Sequence, residues 1–138
     1  MDFGLLYEMQ RPNDEFKIDY DALIEETFEQ IVLADEVGFD YVWFVEHHFL
    51  TTFSGSSAPE VIISALARMT KNIRLGFGVV ILPHHHPVQV AERVAMVDHV
   101  SGGRVEMGVG RSSPIRRVGR TTNDQGSQCE TQRPRSDD

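Results

Sequence analysis

Four short apolar runs alternate along this chain with longer segments of helical periodicity, and this alternation constrains the fold more than any other feature. The runs cover residues 3–7, 41–45, 73–82 and 104–109. Each is rich in β-branched or aromatic side chains, which favour buried strands. The order strand, helix, strand, helix, strand, helix, strand predicts an α/β protein with a parallel sheet and helices packed outside it.

The segments between the runs have the apolar spacing of amphipathic helices. The first covers residues 21–37 and the third ends at Gly102. A proline opens the third helix, and a glycine follows the first helix as well as the third. These are the preferences of the two residue types at helix ends. The second is expected to begin with a capping box in which Ser57 caps the helix and Glu60 reciprocates.

Two folds are compatible with this order, a (β/α)8 barrel and an open doubly wound sheet. The open sheet normally has a glycine-rich phosphate turn after its first strand, but residues 7–12 contain no glycine. The barrel is therefore favoured. Because a complete barrel takes about 250 residues, we expect a partial (β/α)8 TIM barrel that consists of the first four βα units.

Apolar periodicity ends at Ser112, and residues 112–138 are mostly polar. This composition predicts a disordered tail outside the family-like half-barrel of residues 1–111, although a functional tail is an alternative. Our interpretation is that the reading frame was broken between residues 113 and 119. The outer strands would then lack partners, so we expect a homo-oligomer or association through open sheet edges.

Charge and hydropathy exclude several classes of protein. The net charge is −8, and residues 1–111 carry 8 Lys and Arg against 17 Asp and Glu, which argues against a nucleic-acid binder. No apolar run approaches the roughly 20 residues of a membrane helix, and the N-terminus lacks the features of a signal peptide. A cytoplasmic protein without membrane contact is expected, and the single cysteine, Cys129, cannot form an internal disulfide.

Polar residues that directly follow the apolar runs are the candidates for chemistry, because barrel enzymes have their active sites at the carboxyl ends of the strands. Glu46, His47 and His48 follow the second run, and histidine exchanges protons near neutral pH. The alternative is that one histidine only hydrogen-bonds a loop carbonyl. Arg111 after the fourth run suits a phosphate or carboxylate, unless it is simply a surface arginine.

Other residues of the third run and its surroundings have weaker signals. Gly76 and Gly78 indicate either a bulge with a closely approaching ligand or packing in a crowded barrel. Residues 84–86 are three adjacent histidines, which cannot all face one ion and lack a spaced acidic partner, so we expect solvated loop residues and no metal site. Asp98 and Arg104 are expected on the opposite, stabilising side of the barrel.

Several motifs together resemble the bacterial luciferase-like flavin-dependent monooxygenases. The motifs are YVWFVEHHF at residues 41–49, LGFGVVILP at 75–83 with His86–Pro87, and the stretches at 98–104 and 108–111. The resemblance covers about residues 2–111. It implies a (β/α)8 barrel that oxidises a small organic substrate with O2 and with reduced FMN from a separate reductase. The motifs do not exclude a deazaflavin-dependent reductase of the same superfamily.

The resemblance also implies roles for individual residues. His47 would be the catalytic residue, acting as a base or hydrogen-bond donor beside flavin and substrate. The Gly78–Val79 peptide would be unusual, often cis, and would pack against the flavin ring. Glu46 and Arg111 would complete the cofactor site, Arg111 by holding the FMN phosphate. Gly110 stands where the luciferase catalytic subunit has a reactive cysteine, so the resemblance is not to that subunit itself.

A half-barrel is expected to bind FMN weakly, because barrels frequently hold a phosphate with loops after the seventh and eighth strands. Loss of two or three charge-assisted hydrogen bonds, each worth about 1.5–3 kcal/mol, would turn micromolar affinity into millimolar affinity. The sequence therefore predicts a flavin-dependent monooxygenase that is inactive as this fragment. The alternative is a non-catalytic remnant that folds partly or self-associates.

Overall fold

The computed structural model describes residues 1–10, 19–50 and 53–111. Within them the strands are β1 (Gly4–Tyr7), β2 (Tyr41–Phe44), β3 (Arg74–Ile81) and β4 (Val105–Gly110), and the helices are α1 (Tyr20–Val37), α2 (Pro59–Met69) and α3 (Pro87–Ser101), with a 3₁₀ turn at Leu82–His84. The strands form one parallel sheet in the order β1-β2-β3-β4. The predicted α/β class and the four predicted parallel strands are confirmed. The predicted tail, residues 112–138, lies outside the described part of the chain.

The core lies between one face of the sheet and the helices. Alternate side chains of the two central strands are buried on this face: Val42, Phe44, Leu75 and Phe77. They pack with buried residues of α1 and α2, among them Ile31, Ile63 and Leu66. Each such side chain contributes about 1.5–3 kcal/mol by leaving water, so this layer holds the helices on the sheet.

The outer strands are less buried than predicted. Phe3 precedes β1 and is 57% exposed, and Val109 of β4 is 52% exposed, although both were expected on buried strands. Val105, expected buried as well, is half-buried. Within the described residues β1 and β4 each pair with one neighbouring strand only, so their side chains gain cover from one side.

The glycines predicted to end α1 and α3 are confirmed, whereas the predicted cap of α2 is not. Asp19 caps α1 by accepting a hydrogen bond from the backbone N–H of Ala22, and left-handed glycines end α1 at Gly38 and α3 at Gly102. The predicted Ser57 cap is wrong, because α2 begins after Ala58 without a side-chain cap. The proline that opens α2 has no N–H to satisfy. No helix in the described part of the chain is long and apolar enough to cross a membrane.

A buried carboxylate organises the amino edge of the sheet, where the strands begin. Asp35 of α1 accepts the backbone N–H groups of Lys71, Asn72 and Ile73 at 2.7–2.8 Å. Burial by itself raises the pKa of Asp35, but these three hydrogen bonds and the charge of Arg104 outweigh it, so the pKa is lowered. Asp35 thereby fixes the turn between α2 and β3.

Arg104 closes the same edge from the start of β4. Its guanidinium donates five hydrogen bonds of 2.7–3.2 Å, to Ser101 O, Thr70 Oγ1, Ile73 O, Ala67 O and Thr70 O. Several of these acceptors are carbonyls at the end of α2, where a cation is favourable. Asp98 also lies here and accepts the N–H of Val105. The expected location of Asp98 and Arg104, at the edge where the strands begin, is confirmed.

Candidate active site

The carboxyl edge of the sheet brings the sequence-predicted site residues together. Glu46 and His47 follow β2, Val79 lies near the end of β3, and Arg111 directly follows β4. Because the strands are parallel neighbours in one sheet, these positions share one edge, as expected. The side chain of Arg111 is exposed, which leaves its guanidinium available to a ligand.

Glu46 is the buried centre of this edge. One carboxylate oxygen, Oε2, accepts the backbone N–H of Ile81 at 2.8 Å, and the other, Oε1, lies 2.8 Å and 2.6 Å from Nε2 of His48 and of His85. Burial raises the pKa of Glu46, but the N–H of Ile81 and the two histidines outweigh it, so the pKa is lowered. The carboxylate therefore ties the exit of β2 to the exit of β3.

His85 corrects the expectation that the histidine loop is merely solvated. Its side chain is 23% exposed and is hydrogen-bonded to Glu46, whereas His84 and His86 are exposed. The two partners are 39 positions apart in the chain. The pairing follows from the adjacency of β2 and β3. The sequence of the loop by itself does not indicate which strands are neighbours.

The expected lack of an acidic partner near these histidines is also wrong. Glu46, His48 and His84 each have one potential ligand atom within 4.8 Å of the others. However, His48 and His85 approach the same carboxylate oxygen to 2.8 and 2.6 Å. Neighbouring ligands of a tetrahedral zinc would be about 3.3 Å apart, given metal–ligand bonds of about 2.0–2.1 Å. Both distances are those of hydrogen bonds, and the absence of a metal site stays a prediction.

His47 lies at the surface of the edge with its ring partly accessible. Its Nε2 atom is 3.4 Å from Oε2 of Glu8, and its side chain is 33% exposed. The ring meets that of Phe53 edge-on, with 5.5 Å between centroids. The backbone N–H donates to the carbonyl of Ser56 at 2.8 Å. The backbone of His47 is thus fixed while one side of its ring is accessible. This arrangement suits proton exchange with a bound molecule.

The two glycines of β3 have different explanations. A Cβ atom at Gly76 would lie 2.3 Å from the indole of Trp43, so Gly76 is a packing glycine. The Gly78–Val79 peptide bond is cis, as the resemblance implies, and the pairing of β3 with β4 shifts register between Phe77 and Val80. Gly78 therefore marks an irregularity in the strand.

Apolar side chains lie beside this peptide on the side of the sheet opposite the helices. A Cβ atom at Gly78 would lie 3.3 Å from Cβ of Trp43 and 3.8 Å from Cδ1 of Leu6, and Leu6 is 64% exposed. A Cβ at Gly110 would lie 2.6 Å from Val79, so Gly110 lets Val79 pack against β4. Leu6 and Trp43 thus form a partly exposed apolar surface beside Gly78, and apolar surfaces of this kind line most cofactor sites.

Residues 1–129 match the family model described as luciferase-like monooxygenase. The chain belongs to this family. The match extends beyond Arg111, where the resemblance visible in the sequence ends, and the domain boundary placed there stays a prediction.

Individual members of the luciferase-like family show the same relationship. The oxygenase component of the flavin-dependent trigonelline monooxygenase of Acinetobacter baylyi is 35% identical over 113 residues, which are 82% of this chain and 31% of that protein. The oxygenating constituent of 3,6-diketocamphane monooxygenase from the CAM plasmid of Pseudomonas putida, solved in complex with FMN, is 26% identical with a TM-score of 0.75 over 87% of this chain and 32% of that one. The chain spans about a third of the length of these relatives.

The fold is also shared with an enzyme that uses a different cofactor. The coenzyme F420-dependent tetrahydromethanopterin reductase of Methanopyrus kandleri has a TM-score of 0.65 at 23% identity, over 86% of this chain and 30% of that one. At this identity the similarity shows the fold alone. Four parallel strands with outer helices thus correspond to about a third of a luciferase-like barrel.

Sequence reasoning did not identify one residue of this luciferase-like site, Glu8. It directly follows β1 and approaches His47 from the neighbouring strand. The signal that could have found Glu8 is the one that singled out Glu46, a polar residue immediately after an apolar strand.

Proposed function

We propose that this chain carries the amino-terminal part of the active site of an FMN-dependent monooxygenase. The whole protein would oxidise a small organic substrate with O2 and with reduced FMN from a separate reductase. The observation that carries the proposal is the position of His47 and Arg111 at the carboxyl edge of the sheet, beside an apolar surface that Leu6 and Trp43 form next to Gly78. Membership of the luciferase-like family supports it.

Each residue of the edge has a distinct task in this proposal. Bound reduced FMN supplies the electrons that activate O2. His47, whose ring is partly accessible, accepts or donates a proton or hydrogen bond at the reacting atoms. Gly78 and Val79 provide the surface for the flavin ring, and Arg111 binds the phosphate through charge-assisted hydrogen bonds.

Glu46 would contribute to the cofactor site indirectly. The side chain of Glu46 is buried and its two carboxylate oxygens already have three protein partners, so a flavin would meet the groups around Glu46 rather than Glu46 itself. It would instead hold the loop after β2 and the loop after β3 at the distance that a bound cofactor requires. This indirect role differs from the direct contact with the cofactor that the resemblance implies for Glu46.

FMN is favoured over a deazaflavin as the cofactor. The trigonelline relative, at 35% identity, is named a flavin-dependent monooxygenase, and the diketocamphane relative was solved with FMN. The F420-dependent reductase resembles the chain in fold at lower identity. A non-catalytic remnant is the alternative that the following experiment addresses.

The chain's single tryptophan provides the test. Trp43 lies beside Gly78, with its Cβ 3.3 Å from the position of a Cβ there, so a flavin on this face would quench its fluorescence. We expect FMN to quench Trp43 saturably in the roughly millimolar range, and riboflavin, which lacks the phosphate, to quench it less at equal concentration. FMN should bind about 10- to 100-fold more tightly, which corresponds to a charge-assisted hydrogen bond of about 1.5–3 kcal/mol from Arg111.

Two variants and one blank make the titration decisive. Arg111→Ala should remove the preference for FMN over riboflavin, whereas Arg68→Ala, which changes an exposed arginine of α2, should retain it. Free tryptophan amide corrects for light absorbed by the flavin. Quenching that does not saturate, or that equals the blank, would contradict the proposal and favour a non-catalytic remnant.

A further inference from the structure

Glu8 has a buried carboxylate oxygen without a hydrogen-bond partner. Among the described residues, its Oε2 atom is the buried side-chain acceptor left unpaired. The same atom lies 3.4 Å from Nε2 of His47, which is within ion-pair range but lacks hydrogen-bond geometry. Native structures rarely leave a buried acceptor unpaired without a reason. The oxygen is directed at the one side chain to which we assign catalysis.

The backbone holds Glu8 and His47 opposite each other. The residues on both sides of Glu8 accept hydrogen bonds from the segment that follows β2, and His47 is itself tied to that segment. The three bonds are Val45 N–H to Tyr7 O at 3.3 Å, Gly55 N–H to Met9 O at 3.0 Å, and His47 N–H to Ser56 O at 2.8 Å. The main chain therefore places the two side chains within reach of each other.

Backbone conformations on both sides are unusual. Met9, directly after Glu8, has φ +52°, and Phe49, just after His47 and His48, has φ +58°. Left-handed conformations are uncommon outside glycine. They persist where the surrounding structure imposes them, and they cluster at functional sites. Met9 is also buried, so packing holds the backbone conformation of the residue that directly follows Glu8.

We propose that Glu8 is a positioning residue that holds the imidazole of His47. The carboxylate would accept from Nε2–H, which leaves Nδ1 facing the accessible side; no described residue hydrogen-bonds Nδ1. Hydrogen bonds between catalytic groups are often long before substrate binds and tighten in the complex, so a 3.4 Å separation is compatible with this role. The inference rests on the function proposed for His47.

The orientation of the His47 ring can be measured without flavin or turnover. In the full 138-residue chain, the edge-on contact between His47 and Phe53 should give an NMR Overhauser cross-peak between their ring protons. We expect Glu8→Ala to lose this cross-peak, because no described side chain then holds Nε2 of His47. Glu8→Gln should restore it, because an amide of the same length still hydrogen-bonds the ring. Glu29→Ala, which removes an exposed carboxylate of α1, should leave the cross-peak unchanged.

Each outcome decides the matter. A cross-peak that persists in Glu8→Ala overturns the proposal, as does its loss in both Glu8→Ala and Glu8→Gln, which would indicate a general disturbance of the loop. Its absence from the wild-type chain would overturn the geometry itself. Glu8→Leu keeps the bulk of the side chain and is the second test if the amide spectrum shows that Glu8→Ala does not fold. Failure of FMN to bind would instead count against the proposed function alone.

Discussion

The two edges of the sheet are built around the same element, a buried carboxylate that accepts several hydrogen bonds, but they differ in the donors. At the amino edge, Asp35 accepts three backbone N–H groups, and the neighbouring cation is Arg104. At the carboxyl edge, Glu46 accepts one backbone N–H and faces two histidines, while an oxygen of Glu8 is left unpaired.

The difference separates stability from chemistry. Backbone N–H groups do not titrate and arginine stays charged at any physiological pH, so the amino edge is a closed network with a permanent charge pattern. Histidines change protonation near neutrality, and an unpaired oxygen can take up a new partner. An edge that is incompletely satisfied costs stability, and it retains groups that can act on a ligand.

Removal of the amino-edge carboxylate should have the largest effect on stability. Asp35→Ala leaves three backbone N–H groups without their acceptor and removes the negative charge near Arg104. We expect the free energy of unfolding to fall by about 3–5 kcal/mol. Urea denaturation followed by far-UV circular dichroism measures this change. Glu36→Ala, which alters the exposed neighbouring residue, should stay within about 0.5 kcal/mol of the wild type; an equally small change for Asp35→Ala would break the comparison.

At the carboxyl edge, removal of the negative charge of Glu46 should cost less. Glu46→Gln retains one acceptor oxygen, which cannot serve Ile81 and both histidines at once, so we expect a loss of about 1 kcal/mol in the free energy of unfolding. The same denaturation experiment applies, with Glu92→Gln at an exposed site of α3 as control. If Glu46→Gln were as costly as Asp35→Ala, the carboxyl edge would be a stability centre as well.

The smallest effect concerns pH. The pKa of Asp35 is lowered in the folded chain by its backbone donors and Arg104, against the effect of burial. A lowered folded pKa gives stability that is present above the unfolded value of about 3.9 and is lost as the pH falls through the folded value. The difference in unfolding free energy between wild type and Asp35→Asn should therefore be constant from pH 7 to pH 5 and shrink by pH 3. A difference that grew on acidification would show that the sign is wrong.

Sequence alone determined the elements and the edge at which the candidate site lies. Strands and helices follow from apolar periodicity, and helix ends such as Gly38 and Gly102 follow from backbone preferences of single residues. Both are local properties. Once four parallel strands were predicted, the placement of Glu46, His47 and Arg111 at a common edge followed from topology. The cis peptide at Gly78 was anticipated only through the family resemblance.

Tertiary structure decided which side chains meet. Glu46 contacts His85, which lies 39 positions away in the chain. Asp35 binds the turn after α2, 36 to 38 positions away. Glu8 and His47 approach each other from the ends of two neighbouring strands. The burial of β1 and β4 was likewise set by which strands have neighbours, not by their own composition. Local propensities act over a few residues, whereas these pairings depend on strand order and on the main-chain hydrogen bonds that set two loops side by side.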